Sequence, residues 1–282
     1  MAYNSAELLE NGKLPQDILE PLKTYISEAR FFAKVVAPDL SGLSPGSQII
    51  EIGSGIGLLA LFLSSKGFAV TAFEPQSSGF NQMNEMRREI VANWKPVTPS
   101  VEFREALLDE STKLNKLADY IFAINVIEHV PNFVGLIANG IRAKTDDAIF
   151  RLVCPNYTIP YEPHFNIPIV FSKKITKLIF RQKISSSSIP NSEEFWNDLS
   201  WPTQRGLKKS LKSIRWEVTF SRDATNEYLK RALSDSAFID RKGKVVGRLF
   251  KLTSLLAKIV RFVPPAFLPI IDCRISTKKK MN

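Results

Sequence analysis

The chain has few of the residues that build metal centres or disulfide frameworks. Its 282 residues include two cysteines and two histidines. Cys154 and Cys273 show no metal-ligand spacing, and we expect both to be buried apolar side chains in a reducing cytoplasm. Neither His129 nor His164 has companions at metal-ligand spacing, so the sequence predicts no bound metal.

A long hydrophobic run is also missing. A membrane-spanning helix needs roughly 18 uncharged apolar residues, and the best candidate, 262–271, is interrupted by Pro264 and Pro265. The first residues show neither the basic region nor the apolar region of a secretory signal. These absences predict a cytoplasmic protein without a transmembrane helix.

Charge is distributed unevenly along the chain. The net charge is +10. Residues 1–150 contain 13 Lys and Arg against 18 Asp and Glu, a net of −5, whereas residues 151–282 contain 25 against 10, a net of +15. The basic second half predicts an anionic partner, which is a lipid surface, a phosphorylated substrate or a nucleic acid.

Hydrophobic runs alternate with helical patterns over most of the chain. This alternation predicts βαβ units and an α/β fold with a doubly wound, mostly parallel seven-stranded sheet. Helices are predicted at 15–37, 57–66, 77–94, 132–143 and 193–212. Strands are predicted at 48–53, 69–74, 101–104, 120–125, 148–154, 214–220 and 270–275.

Three regions are predicted from this pattern. Residues 1–45 form an N-terminal helical cap, and 46–155 form a Rossmann-like core that binds a cofactor. Residues 156–282 complete the sheet and carry two insertions, after strand five and before the last strand. The first, 156–192, contains a basic segment and a serine run and is interpreted as a substrate lid. The second is a basic amphipathic segment, 241–268.

A glycine-rich turn follows the first predicted strand. It has the form Gly53-x-Gly55-x-Gly57 and is preceded by Glu51. The third glycine of a dinucleotide-binding fingerprint would stand where the chain has Leu58, which disfavours a nicotinamide enzyme. A carboxylate at the strand end suits an amino-bearing or cationic ligand better than a pyrophosphate.

This pattern resembles the first motif of the class I S-adenosylmethionine-dependent methyltransferases. The resemblance implies S-adenosyl-L-methionine as cofactor, with its methionine part wrapped by the turn of Gly53, Ser54, Gly55 and Gly57 and its amino group positioned by Glu51. Glycines fit such a turn because a Cβ would collide with the ligand or disallow the backbone angles.

Carboxylates follow the next two strands. Glu74 ends the second strand, where an acidic side chain can accept hydrogen bonds from both ribose hydroxyls. Glu105 and the amide of Ala106 follow the third strand, where the family more often has an Asp that binds adenine. Glu105 either substitutes for that Asp or is a surface charge.

The segment Asn125-Val-Ile-Glu-His-Val-Pro131 follows the fourth strand. It resembles the E-H-V-P motif of the ubiquinone-biosynthesis O-methyltransferase-like branch, and the resemblance covers about 48–154. It implies that Asn125 lies beside the cofactor. His129 is either a general base for a hydroxyl acceptor or a structural residue that caps the next turn.

Polar and aromatic residues cluster after the fifth strand, at the sheet edge where ligands bind in doubly wound folds. Asn156, Tyr157 and Tyr161 are predicted to contact the substrate, with His164 or Glu162 as candidate base. The alternative is a proline-stiffened loop that packs its aromatic rings on the sheet.

Residues 244–263 show apolar and basic faces at helical spacing. Such a segment suits either an anionic membrane surface, which would make the protein peripheral, or packing on the domain with a solvated basic rim.

The resulting functional prediction is methyl transfer to a hydroxyl or amine of a small or lipid-linked acceptor. The basic second half supports a second hypothesis, an RNA or protein methyltransferase. The N/D-P-P-Y/F motif of amino-methylating nucleic-acid enzymes is missing after strand four, which makes nucleic acid the less favoured partner. A catalytically silent interaction protein is the third hypothesis. The sequence does not predict an oligomeric state.

Overall fold

Buried, largely apolar runs form the central strands of this protein. The computed structural model describes residues 16–75, 81–93, 101–187, 189, 191–212, 216–235, 238–239, 260 and 262–277. The strands are β1 (Gln48–Ile52), β2 (Ala69–Phe73), β3 (Val101–Arg104), β4 (Ala118–Ile124), β5 (Lys144–Pro155), β6 (Tyr161–Glu162), β7 (Ile167–Pro168), β8 (Trp216–Phe220) and β9 (Ile270–Thr277).

Helices separate most of these strands. They are α1 (Gln16–Leu40), α2 (Leu58–Ser65), α3 (Asn81–Asn93), α4 (Phe133–Arg142), α5 (Lys173–Ile179), α6 (Arg181–Ser185), α7 (Ser192–Asp198), α8 (Gln204–Lys212) and α9 (Asp223–Ser234). Among the described residues, no helix combines the length and the apolar character needed to cross a bilayer.

Seven strands form one sheet in the order β3-β2-β1-β4-β5-β9-β8, and β6 pairs with β7 in a separate two-stranded sheet. The strand β1 lies parallel to β2 and β4, and β2 lies parallel to β3. The strands β8 and β9 pair antiparallel. The predicted α/β fold with a mostly parallel seven-stranded sheet is therefore confirmed.

The chain forms two compact units. The first contains Met1–Ala123 and Gly135–Phe150, and the second contains Ile124–Val134 and Arg151–Asn282. This division differs from the predicted boundaries at 45 and 155. In the first unit, Leu22, Ile26 and Ala29 of α1 share one apolar cluster with residues of α2 and α3, so the predicted N-terminal cap belongs to the same core as the first strands.

The second unit has an apolar cluster of its own. Phe165, Ile167 and Ile184 pack with Trp196 and Leu199. The predicted insertion 156–192 thus contributes β6, β7, α5 and α6 to this cluster. Cys154 and Cys273 are both buried and reduced, as expected, and burial raises the pKa of both thiols.

Three local predictions are wrong or incomplete. The helix predicted at 193–212 is two helices, α7 and α8, because Pro202 disfavours helical geometry at the residue before it. The fifth strand begins at Lys144, four residues earlier than predicted. The sequence reading also missed α9, which lies between β8 and β9.

Candidate active site

The glycine turn in the first unit is tied to the neighbouring strand. The amides of Gly53 and Ser54 both donate to the carbonyl of Phe73, over 2.8 and 3.1 Å. Gly53, Gly55 and Gly57 have φ of 74°, 54° and 79°, a region that favours glycine. A Cβ on Gly57 would lie 2.5 Å from the Phe103 ring. Glycine at position 57 is therefore required by both backbone conformation and space.

Two polar atoms beside this turn are buried without a partner. Glu51 is 6% exposed, and among the described residues neither its Oε2 nor the Oγ of Ser54 has a hydrogen-bond partner. Burial, reinforced by the charge of Glu74, raises the pKa of the Glu51 carboxyl well above its usual range. Because buried polar atoms are normally satisfied, this pair of atoms is suited to a polar ligand.

Glu74 lies next to the same turn. Its Oε2 accepts a hydrogen bond of 2.7 Å from the amide of Gly55. Burial raises the pKa of Glu74, while the Gly55 amide and the charge of Arg87 act in the opposite direction. A carboxylate oxygen has more than one lone-pair site, so this group can accept further donors.

Arg87 is the residue of this site that sequence reasoning missed. It is 3% exposed on α3, where it donates from Nη1 to the carbonyl of Gly55 at 3.3 Å and from Nη2 to Oε1 of Glu105 at 2.8 Å. Glu105 is therefore engaged in an ion pair with Arg87. The predicted contacts of Glu105 and of the exposed Ala106 with adenine stay predictions. The sequence shows Arg87 within a polar helical pattern, and only the structure shows that it is buried.

The loop after β4 belongs to the second unit. Asn125 has a φ of 55° and an exposed side chain. Its backbone N–H donates to the carbonyl of Val153 at 2.8 Å. A short 3₁₀-helix, Ile127–His129, follows. The predicted contact of Asn125 with a cofactor is not tested by these features.

Glu128 and His129 lie adjacent in this 3₁₀-helix, and burial shifts the pKa of both. Glu128 is fully buried, neither of its carboxyl oxygens has a partner in the described part of the chain, and burial raises its pKa to about 7. Burial, followed by the charge of His164, lowers the pKa of His129 to about 4. His129 is therefore neutral at physiological pH, and Glu128 is partly protonated.

Glu162 is the centre of a hydrogen-bonded network. Its Oε1 lies 2.6 Å from Nδ1 of His164 and accepts from the hydroxyl of Tyr157 at 3.2 Å. Its Oε2 accepts from the amide of Phe165 at 2.7 Å. Burial opposes ionisation of Glu162, but the bonds to His164 and Phe165 outweigh it and lower the pKa. Because an ionised Glu162 can only accept, Nδ1 of His164 carries a proton, and in the neutral form of this ring Nε2 is an acceptor.

The two histidines lie side by side although 35 positions separate them in sequence. Their ring centroids are 5.1 Å apart, and the Phe195 ring packs edge-on against His164 and at a tilt against His129. One ligand atom each of Glu128, His129 and His164 lie within 4.8 Å of one another. The sequence spacing of the histidines did not indicate this cluster, because only the fold brings these three residues together, and the expected absence of a metal stays a prediction.

The three predicted substrate contacts have different surroundings. The Asn156 amide group donates to the carbonyls of Ala266 and Leu268, at 3.0 and 2.7 Å, which gives this buried residue a structural role. The Tyr157 ring stacks on Trp201 with centroids 5.6 Å apart. Tyr161 donates to Asn166 at 2.7 Å, and burial raises its pKa to about 12.

The predicted amphipathic segment 244–263 lies outside the described residues, apart from 260, 262 and 263. Arg222 donates to the carbonyl of Val263 at 3.0 Å. Neither attachment to a membrane nor packing on the domain can be assigned to this segment, and both stay predictions.

Comparison with known proteins identifies the family. A family model described as a methyltransferase domain matches residues 25–164. The chain is also 30% identical over 256 residues to the uncharacterized protein Rv1509 of Mycobacterium tuberculosis (strain ATCC 25618 / H37Rv), covering 89% of this chain and 86% of that protein. The chain belongs to the class I S-adenosylmethionine-dependent methyltransferases.

Further relatives of this methyltransferase agree with that assignment. It is 30% identical over 95 residues to the ubiquinone biosynthesis O-methyltransferase of Rickettsia canadensis (strain McKiel), covering 34% of this chain and 37% of that enzyme. A solved structure of the plantazolicin methyltransferase BpumL in complex with SAH has a TM-score of 0.50 and 11% identity, covering 98% of this chain and 95% of that one. This last likeness shows a shared fold.

Proposed function

We propose that this methyltransferase transfers the methyl group of S-adenosylmethionine to a hydroxyl of a small or lipid-linked acceptor. The observation that carries the cofactor assignment is the unsatisfied pair beside the glycine turn, the Oε2 of Glu51 and the Oγ of Ser54. Both atoms are buried, and the three left-handed residues of the turn, Gly53, Gly55 and Gly57, have no side chains. The residues present therefore fit the cofactor that the family uses.

Each residue around the glycine turn has a defined role in this proposal. The bare backbone of Gly53, Gly55 and Gly57 accommodates the methionine part, and Glu51 with Ser54 receives its amino group. Glu74 accepts the ribose hydroxyls, and Arg87 holds the turn by its bond to the Gly55 carbonyl. When bound, the cofactor supplies an electrophilic sulfonium methyl group, so the protein contributes mostly positioning and exclusion of water.

A hydroxyl acceptor is favoured over an amine by the network around Glu162. A hydroxyl must lose its proton during transfer, and His164 is built to take it, since Glu162 holds Nδ1 at 2.6 Å and leaves Nε2 free to accept. In this proposal His164 is the general base and Glu162 is its positioning residue. The neutral His129 packs against the His164 ring and adds no positive charge there.

Cofactor binding and acceptor class are tested separately. Isothermal titration with S-adenosylhomocysteine is expected to show binding at micromolar concentration. Absence of binding at high micromolar ligand would refute the cofactor assignment. Purified protein with methyl-labelled cofactor is then incubated with fractionated cell extract, and label is expected in a lipid or small-molecule fraction.

The nature of the labelled bond tests the hydroxyl proposal. A product resistant to mild alkali and bearing an ether supports a hydroxyl acceptor, whereas an N-methyl product would refute it. Label found in RNA or protein would instead support the hypothesis of an RNA or protein methyltransferase. The net charge of +15 in the second half suggested that hypothesis.

A further inference from the structure

The helix α5 exposes an apolar face that no described residue covers. Ile175, Leu178 and Ile179 are 42, 77 and 56% exposed. At 3.6 residues per turn these three positions span an arc of about 100° on one side of the helix. Single exposed apolar residues are ordinary on protein surfaces, but a contiguous group of large ones marks an interaction site.

Phe171 extends this face from the preceding loop. Its side chain is 94% exposed, and its φ is 54°, which is uncommon for a large residue. Thr176 fixes the loop, since its hydroxyl accepts from the amide of Val170 at 2.9 Å and donates to the carbonyl of the same residue at 3.2 Å. The chain thus holds an aromatic ring in solvent at a conformational cost.

The opposite side of this segment is anchored in the second unit. Thr176 is fully buried, and Phe180 and Ile184 pack in the cluster around Trp196. Lys173 donates to the carbonyls of Asn197 and Leu199. The exposure of the apolar face therefore results from a fixed helix orientation, with Thr176 inside and Ile175, Leu178 and Ile179 outside.

Positive charge surrounds the apolar face. Residues 169–192 contain five Lys and Arg and no Asp or Glu. Lys177 pairs with Glu193 at 3.5 Å, and Lys183 donates to the carbonyl of Asn166. Lys174 and Arg181 have no acidic partner within 4 Å among the described residues. An anionic surface would complement these two exposed cations.

We propose that Phe171, Ile175, Leu178 and Ile179, with Lys174 and Arg181, form a docking surface for an anionic lipid bilayer. The apolar side chains enter the acyl boundary while the cations face lipid phosphates, the combination that interfacial segments use. This bilayer docking surface is separate from the predicted segment 244–263. It does not depend on the methyltransferase proposal, although a bilayer would bring a lipid-linked acceptor to the enzyme.

The test is co-sedimentation of the full chain with vesicles. Wild-type protein is expected to bind phosphatidylcholine vesicles that contain phosphatidylglycerol, and to bind pure phosphatidylcholine at least about tenfold more weakly. Raising the salt from about 0.1 M to about 1 M is expected to release it. Absence of binding to anionic vesicles, or equal binding to both kinds, would overturn the proposal.

Two double variants locate the surface. Phe171→Ser with Leu178→Ser is expected to lower the partition coefficient at least about tenfold. Lys174→Glu with Arg181→Glu is expected to abolish the preference for anionic vesicles, and these exposed positions do not touch the apolar cluster. Unchanged binding by either double variant would contradict the proposal and would assign binding to another part of the chain, such as 244–263.

Matched controls separate this surface from general effects. Leu233→Ser removes another exposed apolar side chain, which is 60% exposed, from α9 of the same unit. Lys208→Glu with Lys209→Glu gives the same change in net charge on exposed positions of α8. Both controls are expected to bind like wild type. Titration with S-adenosylhomocysteine on the same samples reports folding and the cofactor site, so loss of docking is distinguishable from failure of the proposed function.

Discussion

The glycine-turn pair in the first unit and the Glu162 network in the second unit have opposite hydrogen-bonding states. In the first, Glu51 and Ser54 carry buried atoms without described partners beside a turn of bare backbone. In the second, Glu162 already accepts hydrogen bonds from His164, Tyr157 and Phe165. Unsatisfied buried atoms are suited to receive a ligand, whereas a satisfied carboxylate holds a neighbouring ring in one orientation. The contrast teaches that binding and chemistry need different preparation.

Filling the glycine turn should break the first unit's site most completely. Gly57→Val places side-chain atoms in the Phe103 ring at a φ of 79°, so the free energy of unfolding is expected to fall by about 3 kcal/mol. Binding of S-adenosylhomocysteine is expected to be lost. Denaturant unfolding and calorimetric titration measure the two effects. Gly42→Ala, where nothing lies within 4 Å of the new Cβ, is the control. Equal binding by both variants would contradict the steric argument.

Removing the oriented imidazole should break the second unit's site and leave the first intact. His164→Gln is expected to lower kcat by about 10² to 10⁴ because the acceptor proton loses its base, with unchanged affinity for S-adenosylhomocysteine. Steady-state kinetics with the identified acceptor and titration of the cofactor product measure these quantities. Tyr161→Phe, which loses only the bond to Asn166, is expected to stay within a few-fold of wild type. Full activity of His164→Gln would show that transfer needs no base here.

Neutralising Glu74 sharpens the comparison, because it removes charge without filling space. Glu74→Gln is expected to weaken S-adenosylhomocysteine binding about 10- to 100-fold through loss of charged hydrogen bonds to the ribose. Burial raises the pKa of Glu74, so the neutral variant is expected to be no less stable than wild type at pH 7. Calorimetric titration and denaturant unfolding check both points. Glu85→Gln on the exposed side of α3 should bind normally, and a stable Glu74→Gln variant with wild-type affinity would remove the ribose role.

The smallest expected effect is a pair of opposed pH dependences within the second unit. Glu128 has a pKa raised from 4.5 to about 7, so its contribution to stability is present below pH 4.5 and is lost as the pH rises towards 7. His129 has a pKa lowered from 6.5 to about 4, so its contribution is present above pH 6.5 and is lost as the pH falls towards 4. The two dependences oppose each other between these limits.

Substitution of Glu128 or of His129 alone should reveal the pH dependence of stability that the other residue causes. Between pH 4.5 and 6.5, stability of Glu128→Gln is expected to rise with pH, and stability of His129→Gln is expected to fall, each by about 1 to 2 kcal/mol. Denaturant unfolding across this range measures both. Parallel profiles for the two variants and wild type would show that neither group changes its proton affinity on folding.

The sequence predicted the fold well because its signals are local. Apolar runs of strand length, the glycine turn and the alternation of elements follow from neighbouring residues, so the first two strands and the helix between them were predicted nearly to the residue. The prediction of one helix over 193–212 was wrong because Pro202 disfavours helical geometry at the residue before it, which separates α7 from α8. The hairpin of β6 and β7 escaped because two-residue strands leave no periodicity.

The site residues also divide into those that local sequence signals predict and those that they do not. The glycines, Glu51 and Glu74 lie at strand ends, where chain order alone fixes their place. Arg87 was missed because its burial depends on the packing of α3. The approach of His129 to His164 was missed because 34 residues lie between them and His164 is in the loop that joins β6 to β7. Residues held by strand order were predictable, and residues brought together by tertiary packing were not.

The bond from the Gly55 amide to Glu74 has a consequence for ligand exchange. The turn keeps its shape when the nucleoside departs, because an internal carboxylate already supports it. In the proposed function, a ribose bound at Glu74 would share an acceptor that is already in use, and each turnover would start from a formed turn. Product release then costs the enzyme little reorganisation, which suits a catalyst that must discard a spent nucleoside after every transfer.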